Sequence, residues 1–565
     1  MFEQEKVMLR RPRFAWAVLA FAMAIAAGVL EWAGSDTGLL NDELFVFSTS
    51  RWDLEYLLSP HNEHLTLPMR IVYQAVFATV GPEYGVIRAI GVVALFACVA
   101  LFFELARRRL GPPLALPPSM LLLFLGLGWQ SVLWPFGVLT TALSIAAGLG
   151  ALLALERDDR TGDILAAVLV ALSVATFSIG LAFLVGIAVS ILLRPDRWRR
   201  AWIFLVPLVL YAAWWVWAQK FDQPGAVSAS NIAMIPEYFV DSLAAVLGAL
   251  AGLNELVGLG GLRAFDASGL EAVLGAIALA VRWAVVVLAV AALVVRLKRG
   301  RIPSSLWVSL AILTTYWLAG SLAQGAERVP DASRYILPGA IGVLLVATDA
   351  ARGRRLPAAV PAVVLAVFAF SLAANLHELR DAGNAFRGEA GSSRAQLAAL
   401  ELADGAAHPT YLPGQDPSLS AFLPAGFPVQ VGPYLAAAER FGSPAYSLEE
   451  LRAQDERVRR GADAVLTRAL DLRLEPAEPD ARPPGCREPA TGEALRSIDL
   501  PRGGALLRAE RDAQMALARF ADLPFFGVGG LAADRPAAIR APPDLAPEPW
   551  RAGFITAGAV EICPL

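Results

Sequence analysis

The chain has 565 residues, of which 56% are hydrophobic and only 18% charged, and its mean hydropathy is +0.53. A soluble globular protein carries about a quarter charged residues, so this composition indicates a protein that lies mostly in a lipid bilayer. The net charge of −3 provides no basic surplus and argues against nucleic acid as a partner. Three cysteines are too few for a disulfide-dense scaffold.

Eleven apolar stretches are long enough, or nearly long enough, to cross the hydrocarbon core of a bilayer as helices. The first follows four cationic residues and lacks a small-residue cleavage site, so it is predicted to stay as an anchor. In chain order, the stretches cover residues 14–33, 86–106, 114–128, 136–155, 163–177, 180–194, 201–218, 276–296, 303–322, 336–350 and 357–375. The sequence therefore predicts an all-α polytopic membrane domain over residues 1–375.

The positive charges predict the orientation of these spans. When the spans are threaded alternately from a cytoplasmic N-terminus, the large arginine and lysine clusters all fall on the cytoplasmic side, as is usual for membrane proteins. These clusters lie at residues 107–109, 157–160, 194–200, 296–301 and 352–355. Two further apolar stretches, 65–80 and 238–259, are predicted to lie outside or in the interface, because counting either as a span would invert every later loop.

Residues 376–565 are predicted to form an α+β extracytoplasmic domain. The segment 385–472 is expected to be helical, and Ser447 to Glu450 have the pattern of a helix start. The segment 495–565 consists of short apolar runs separated by Pro, Gly and Asp, which predicts a small β-sandwich. Cys486 and Cys563 lie in this domain and could form one disulfide, whereas Cys98 falls within a span.

Polar residues are densest in the first outer loop, residues 34–85. Asp42 and Glu43 directly follow the first span, where a carboxylate at the bilayer surface can accept a proton from a hydroxyl nucleophile. His61, Glu63 and His64 could orient that base, contact a phosphate or supply three ligands to a divalent metal ion, although no fourth ligand is nearby.

The sequence resembles the C-type (GT-C) superfamily of integral membrane glycosyltransferases, the group that includes protein mannosyltransferases and aminoarabinose transferases. The resemblance lies in Asp42-Glu43 after the first span, the long first outer loop, the many further spans and the extracytoplasmic C-terminal domain. The segment Ala332 to Pro338, which contains Arg334 and Tyr335, is similar to a loop that precedes a late span in many of these enzymes.

The resemblance implies a transferase of the bacterial inner or plasma membrane that serves cell envelope and cell wall biogenesis. It would move a sugar from a polyprenyl-phosphate donor to a hydroxyl of a glycan, lipid or protein acceptor. Asp42 would be the base, with Glu43 or Glu63 as a second carboxylate. The other implied substrate and phosphate contacts are His61, His64, Arg70, Arg334 and Tyr335, with Trp129 and Trp134 stacking on sugar faces. The sequence identifies no cofactor with certainty, and a divalent metal at His61, Glu63 and His64 stays open.

Each assignment has a structural alternative. Asp42 and Glu43 could serve only the start of a helix, and the His61 to His64 run could be an ordinary turn. Arg70 and Arg334 could anchor helices at the headgroups, and the tryptophans could form an interfacial belt. The whole chain could instead be a transporter or flippase of a lipid-linked or polar solute, or a non-catalytic envelope protein that binds polysaccharide. Arg282 lies deep in an apolar run and requires a partner that the sequence does not identify.

Overall fold

The computed structural model describes residues 12–221, 227–253, 270–299, 301–325, 328–354, 357, 359–423, 427–478, 485–486, 497–556 and 558–565. The chain packs into two compact units. Unit 1 contains Met1–Ser35, Arg51–Val72 and Gly85–Asn384, and unit 2 contains Asp36–Ser50, Tyr73–Tyr84 and Ala385–Leu565. Unit 2 therefore combines the C-terminal region with two short segments of the first outer loop, whereas the predicted division assigned that loop to the membrane domain.

The described part of the chain is mostly helical. Its α-helices are α1 (Pro12–Ala33), α2 (Asp42–Thr49), α3 (Leu54–Leu58), α4 (Leu67–Val80), α5 (Tyr84–Leu110), α6 (Pro112–Leu122), α7 (Pro135–Leu155), α8 (Arg160–Thr176), α9 (Ile179–Leu192), α10 (Arg197–Arg200), α11 (Trp202–Ala218), α12 (Ile235–Ala251), α13 (Leu270–Lys298), α14 (Ser304–Leu322), α15 (Ser333–Ala351), α16 (Val360–Ala403), α17 (Val431–Phe441), α18 (Leu448–Arg452) and α19 (Glu456–Ala469). A 3₁₀ segment, Gly126–Ser131, separates α6 from α7.

Eight helices among the described residues are long and apolar enough to cross a membrane, in agreement with the predicted polytopic membrane protein. Seven of them coincide with predicted spans. The eighth, Ala229–Ala251, overlaps the stretch 238–259 that was expected outside or in the interface. The four remaining predicted spans are also helical but shorter, at α6, α8, α9 and α11. Helix α6 begins with Pro112, a residue favoured at a helix start, and ends at Leu122. The 3₁₀ turn at Gly126–Ser131 follows, so the helix stops before the end of the predicted span 114–128.

Two groups of buried charged side chains inside unit 1 are paired, as burial in an apolar environment favours. The guanidinium of Arg282 donates to the carboxylate of Asp241 on α12. At the end of the unit that carries the cationic clusters, the fully buried carboxylate of Asp349 accepts hydrogen bonds from Arg109 at 2.8 Å and from Ser305 and Ser309 at 2.6 Å each. This cluster joins α5, α14 and α15.

The C-terminal part of unit 2 has the predicted order of helices followed by strands. The Ser447 and Glu450 side chains form a reciprocal capping box at the start of α18. The strands are β1 (Leu474–Pro476), β2 (Ser497–Asp499), β3 (Gly504–Ala509), β4 (Ala513–Ala518), β5 (Phe526–Leu531), β6 (Ala537–Arg540), β7 (Arg551–Ile555) and β8 (Val560–Pro564). They form two four-stranded antiparallel sheets, ordered β1-β6-β3-β8 and β2-β7-β4-β5.

A disulfide and a buried carboxylate hold this strand region together. Cys486 and Cys563 are bonded, and the bond attaches the segment before β2 to β8. The buried carboxylate of Asp463 on α19 accepts hydrogen bonds from the backbone N–H groups of residues 519, 520 and 521. Because these donors end β4, α19 is fixed to the second sheet. The fold class, an all-α polytopic membrane domain followed by an α+β C-terminal domain, is confirmed.

Candidate functional site

The acidic pair of the first outer loop begins α2 in unit 2. The helix starts through the carbonyl of Asn41, which accepts hydrogen bonds from the N–H groups of Leu44 at 3.0 Å and Phe45 at 3.2 Å. Asn41 has φ 44° and ψ −113°, and its side chain makes no capping hydrogen bond. Such a backbone costs a non-glycine residue about 1–3 kcal/mol and is most often found where function requires it. Sequence reasoning did not single out Asn41, although asparagine is among the residues that tolerate positive φ best.

Glu43 is fully buried and its carboxylate is saturated with donors. Tyr73 donates to Oε1 at 2.5 Å, Tyr84 donates to Oε2 at 3.1 Å, and the backbone N–H of Leu40 donates to Oε2 at 3.1 Å. Burial raises the pKa of the Tyr73 phenol well above its ordinary value, and the charges of Glu43 and Asp42 raise it further. Tyr73 therefore stays protonated and remains a donor. The two tyrosines were not among the predicted site residues, and only their neighbourhood in the first loop could have indicated them.

Aromatic side chains pack against the buried face of α2 and hold the helix in place. Phe47 is completely buried, and its ring meets the ring of Phe77 edge to face, with centroids 5.2 Å apart. It also contacts Tyr434 and Phe441 of α17, with centroids 6.1 Å away in both cases. Buried aromatic pairs of this kind stabilise by about 0.5–1.5 kcal/mol beyond the area they bury. As a result, the first turn of α2 has a fixed position within unit 2.

Asp42 is the partly exposed member of the acidic pair. It is the first residue of α2, and the residue before it, Asn41, occupies the cap position. Asp42 is therefore not the cap residue; together with Glu43 it lies in the first turn of α2, where negative charge favours a helix, as the structural alternative predicts. Because Asp42 is partly exposed, its carboxylate can contact a substrate. Glu43 beside it is buried and held by three donors, so it can set the position of Asp42.

The His61 to His64 run forms a tight two-residue turn in unit 1. The backbone groups of His61 and His64 exchange two hydrogen bonds of 2.9 Å, and the residues between them, Asn62 and Glu63, have φ of 46° and 71°. Two successive positive φ values are the requirement of a type I′ turn. His64 Nδ1 lies 2.6 Å from Ser178 Oγ, and a carboxylate oxygen of Glu63 lies 3.5 Å from the guanidinium of Arg328.

The ring of His61 connects this turn to one of the predicted tryptophans. His61 is 6% exposed, and its ring centroid lies 5.2 Å from that of Phe136, which stacks in turn on Trp134 at 5.1 Å. Sequence spacing could not show this contact, because more than 70 residues separate His61 from Phe136.

Arg70, a predicted phosphate partner, is 1% exposed in unit 1. Its guanidinium donates to the Tyr56 carbonyl, the Ser59 hydroxyl and, at 3.4 Å, the Pro60 carbonyl, and it lies 4.6 Å from the Tyr56 ring centroid. Burial is the main cause of a lowered pKa for this guanidinium. These contacts fasten the segment that leads into the His61 turn, which is a structural task and leaves Arg70 little surface for a ligand.

Arg334 and Tyr335 begin α15 beside the 3₁₀ segment that contains Trp129. The backbone N–H of Arg334 donates to Gln130 Oε1 at 3.1 Å, the Ser333 hydroxyl accepts from the Gln130 N–H at 2.9 Å, and the Ser131 hydroxyl donates to the Arg334 carbonyl at 3.2 Å. The Arg334 guanidinium lies 5.3 Å from the ring centroid of Tyr335. These hydrogen bonds join the 3₁₀ segment that contains Trp129 to the start of α15, where Arg334 and Tyr335 lie.

A groove of about 660 Å³ also lies in unit 1, between the α3–α4 segment, α8 and α11. Its wall is apolar and aromatic, with Leu58, Leu65, Leu172, Tyr211, Trp214 and Trp217 among its residues. The Trp214 indole N–H donates to the Leu58 carbonyl at 2.7 Å, and the Tyr211 side chain is hydrogen-bonded to Ser178, the same residue that meets His64.

The metal hypothesis is not supported by the positions of its residues. Among the described residues, the cluster that brings three metal-type ligand atoms within 4.8 Å of one another is Cys486, Glu561 and Cys563, and its two cysteines are joined in a disulfide. His61, Glu63 and His64 do not converge in this way, because their side chains turn to Phe136, Arg328 and Ser178 respectively.

The fold and these polar sites define a polytopic membrane protein with an acidic pair after its first span. No family model matches the chain, and no curated protein matches it. Two solved structures are similar. The crystal structure of apo ArnT from Cupriavidus metallidurans matches with 15% identity and a TM-score of 0.32, covering 69% of this chain and 81% of that chain.

The second similar structure is the arabinosyltransferase EmbB from Mycobacterium smegmatis, with 15% identity and a TM-score of 0.28, covering 96% of this chain and 64% of that chain. A likeness this distant assigns no activity to a chain, so the function depends on the chain's own residues.

Proposed function

We propose that the protein is a membrane glycosyltransferase that moves a sugar from a polyprenyl-phosphate donor to a hydroxyl of an envelope acceptor on the extracytoplasmic face. The observation that carries this proposal is the acidic pair at the start of α2. Glu43 is buried and held by Tyr73, Tyr84 and the Leu40 N–H, while Asp42 next to it is partly exposed.

The chemistry needs a base for the acceptor and stabilisation of the leaving phosphate. Asp42 accepts the proton of the acceptor hydroxyl as its oxygen attacks the anomeric carbon of the donor sugar. The bond from that carbon to the phosphate oxygen breaks, and the phosphate leaves as an anion that needs no acid. Glu43 does not exchange a proton with substrate; as a positioning residue it sets the direction of Asp42.

For the donor, we propose that Arg334 and Tyr335 contact the phosphate and that Trp129 stacks on a sugar face. Support comes from the backbone of Arg334, which is held by Gln130 and Ser131 and so fixes the start of its side chain. A guanidinium makes charge-assisted hydrogen bonds to phosphate oxygens. The same proposal includes a contact between the His61 to His64 turn and the acceptor.

The test is the Asp42→Asn variant, assayed for sugar transfer from a polyprenyl-phosphate sugar with product detected by mass. We expect a loss of turnover of about 10²–10⁴-fold, the usual contribution of a general base, with donor binding unchanged. Asp53→Asn is the matched control, because Asp53 lies in the same loop and caps α3 through the Tyr56 N–H at 2.7 Å, a task that asparagine also performs. Unchanged transfer by Asp42→Asn would reject Asp42 as the base, and absence of transfer by the unaltered protein would favour a transporter or a binding protein.

A further inference from the structure

Two polar side chains next to the acidic pair are buried without a hydrogen-bond partner among the described residues. Gln74, which follows Tyr73 on α4, is fully buried, and neither its amide nitrogen nor its carbonyl oxygen is bonded. The Oδ1 atom of Asn41, directly before Asp42, is likewise buried and unbonded. Buried polar atoms are nearly always paired, because an unpaired one has lost its hydration and gained nothing in return. Each of these side chains therefore calls for a polar partner from outside the chain.

Asn41 carries a second cost in its backbone. Its φ of 44° lies in the left-handed region, where glycine is the residue that fits without a steric penalty. The asparagine side chain does not compensate by capping α2. Glycine would thus remove both the strain and the unpaired oxygen. A costly residue directly before the proposed base indicates a task other than stability.

Both side chains adjoin the groups that hold Glu43 within unit 2. The Leu40 N–H and the Tyr73 hydroxyl donate to the two Glu43 oxygens. Asn41 follows the first of these donors in the chain, and Gln74 follows the second. Gln74 also lies on the buried face of α4 together with Tyr73 and Phe77. The unpaired polar atoms are therefore close in the chain to both sides of the hydrogen-bond network around the acidic pair.

The chemistry of the unpaired atoms selects the partner. The Gln74 amide offers two N–H donors and an acceptor oxygen, and Asn41 Oδ1 offers an acceptor. A group that satisfies them must both donate and accept. A hydroxyl does so, whereas an ionised phosphate only accepts and a hydrocarbon chain does neither. A sugar presents several hydroxyls at fixed spacing, so it suits these side chains better than the other parts of a lipid-linked donor.

We propose that Asn41 and Gln74 bind hydroxyl groups of a sugar at the acidic pair and so determine which sugar is accepted. The inference rests on the proposed function and adds specificity-determining residues to it. The hydroxyls belong either to the donor sugar or to a glycan acceptor, and the experiment has an arm for each. A buried water that only completes the hydrogen bonds of the Gln74 amide is the competing occupant.

The first measurement is thermal unfolding of the full-length protein without substrate. Gln74→Met keeps the length of the side chain and removes its unpaired amide, so we expect the unfolding midpoint to rise by about 2–4 °C. Gln396→Met is the matched control, because the buried Gln396 amide donates to Ser392 Oγ at 3.0 Å and to the Phe422 carbonyl at 2.6 Å. This control should lower the midpoint. A fall with Gln74→Met as well would show that the protein itself satisfies the Gln74 amide, which contradicts the proposal.

The same measurement applies to Asn41→Gly. We expect the unfolding midpoint to rise, because the substitution removes the backbone strain and the unpaired oxygen together. Asp404→Gly is the matched control, since Asp404 has the same φ of 44° at an exposed position of unit 2. It should relieve the same strain and leave sugar binding and transfer unchanged.

The second measurement is binding to the full-length protein in phosphatidylcholine nanodiscs. The probes are polyprenyl monophosphate and its hexose and pentose phosphodiesters. We expect Gln74→Met and Asn41→Gly each to weaken binding of the preferred glycosylated probe about tenfold, the effect of one lost hydrogen bond, and to leave the sugar-free probe unchanged. Gln396→Met and Asp404→Gly should bind both kinds of probe as the unaltered protein does.

The acceptor arm is transfer to a short-chain alkyl glycoside. If the hydroxyls belong to the acceptor, the two variants should raise the KM for the alkyl glycoside about tenfold and bind the donor normally. Normal binding of every glycosylated probe together with a normal KM in both variants would overturn the proposal and leave water as the partner of the Gln74 amide.

The donor arm requires no sugar transfer, so the two proposals fail separately. If the variants lose binding of the glycosylated probe and the unaltered protein transfers no sugar, the proposed function fails while the sugar contacts stand. If the unaltered protein transfers sugar and both variants bind and transfer as it does, the sugar contacts fail while the transferase stands.

Discussion

The surroundings of Glu43 are costly to alter, because a buried carboxylate that loses a donor has no water to replace it. The sequence placed Glu43 in the site but could not distinguish its task from that of Asp42. The distinction depends on Tyr73, 30 residues away, and Tyr84, 41 residues away. Contacts at such separations are decided by tertiary packing and not by local pattern.

Tyr73→Phe should lower kcat while leaving KM nearly unchanged. It removes the 2.5 Å hydrogen bond to Glu43 and leaves that oxygen under-satisfied, which should cost about 1–3 kcal/mol of stability and loosen the turn that positions Asp42. Transfer kinetics and thermal unfolding measure the two effects. Tyr434→Phe is the control, since it removes a 2.5 Å bond of the same kind to Glu401 in the same unit. Equal loss of kcat in both variants would show a general effect of stability.

Asp416 provides a pH-dependent contribution to unit 2. Burial is the largest single influence and would raise its pKa, but hydrogen bonds from Arg468 and Ser418 outweigh it, so the pKa of this carboxyl lies below the ordinary 3.8. The folded-state pKa is therefore below the unfolded value. The ionised group stabilises the folded state above the unfolded pKa, and this stabilisation disappears as the pH falls through the folded pKa.

Asp416→Asn should accordingly reduce stability at pH 7 by about 1 kcal/mol, the net value of a typical hydrogen bond, and the difference from the unaltered protein should close as the pH falls below 3.8. Hydrogen exchange of the peptides around Asp416 and Arg468, compared between proteins at matched pH, is the measurement. Asp534→Asn, at an exposed position, should show no such pH-dependent difference. A gap that stays constant down to pH 2 would contradict the assignment.

At the scale of elements, the apolar stretches were predictable because a membrane requires every backbone group to bond within its own segment. All eleven predicted spans are helical, although their boundaries shift, and Ala229–Ala251, which overlaps the stretch 238–259, is also long and apolar enough to cross a membrane. Arg282 shows what the sequence could not reveal about that stretch. Its partner Asp241 lies on α12, within the stretch predicted to lie outside the membrane or in its interface, so charge bias alone could not reveal the pair.

The turn after α4 depends on a glycine. Gly81 has φ +77°, and a Cβ at this position would lie 2.8 Å from the Phe441 carbonyl oxygen. Gly81→Ala should therefore destabilise unit 2 by at least the 1–2 kcal/mol of a left-handed alanine. Gly388→Ala, on α16 with open space around its Cβ, should instead stabilise by up to about 1 kcal/mol. Limited proteolysis across a temperature series would rank the variants, and equal protease resistance in the two would contradict the expected strain.

At the scale of the whole molecule, the side of the membrane occupied by the C-terminal region can be read from its thiols. The disulfide between Cys486 and Cys563 requires an oxidising compartment, while Cys98 is a buried free thiol in α5. A maleimide of high mass should not react with the native protein, because its free thiol, Cys98, is buried. It should label the denatured protein once, at Cys98, and the denatured and reduced protein three times, at all three cysteines. Three additions without reductant would place the region in the cytoplasm. Cys486→Ala should add one labelled site without reductant.

The composition of unit 2 limits what protein engineering can do with this chain. Residues 36–50 and 73–84 pack with the C-terminal region, so the acidic pair and the strand sheets belong to one compact unit. A chimera that exchanges everything after residue 385 for the tail of a relative would leave α2 without the aromatic rings of α17. We expect such exchanges to impair the acidic pair together with acceptor choice, so that new specificities are more accessible through point substitutions within unit 2 than through recombination of whole tails.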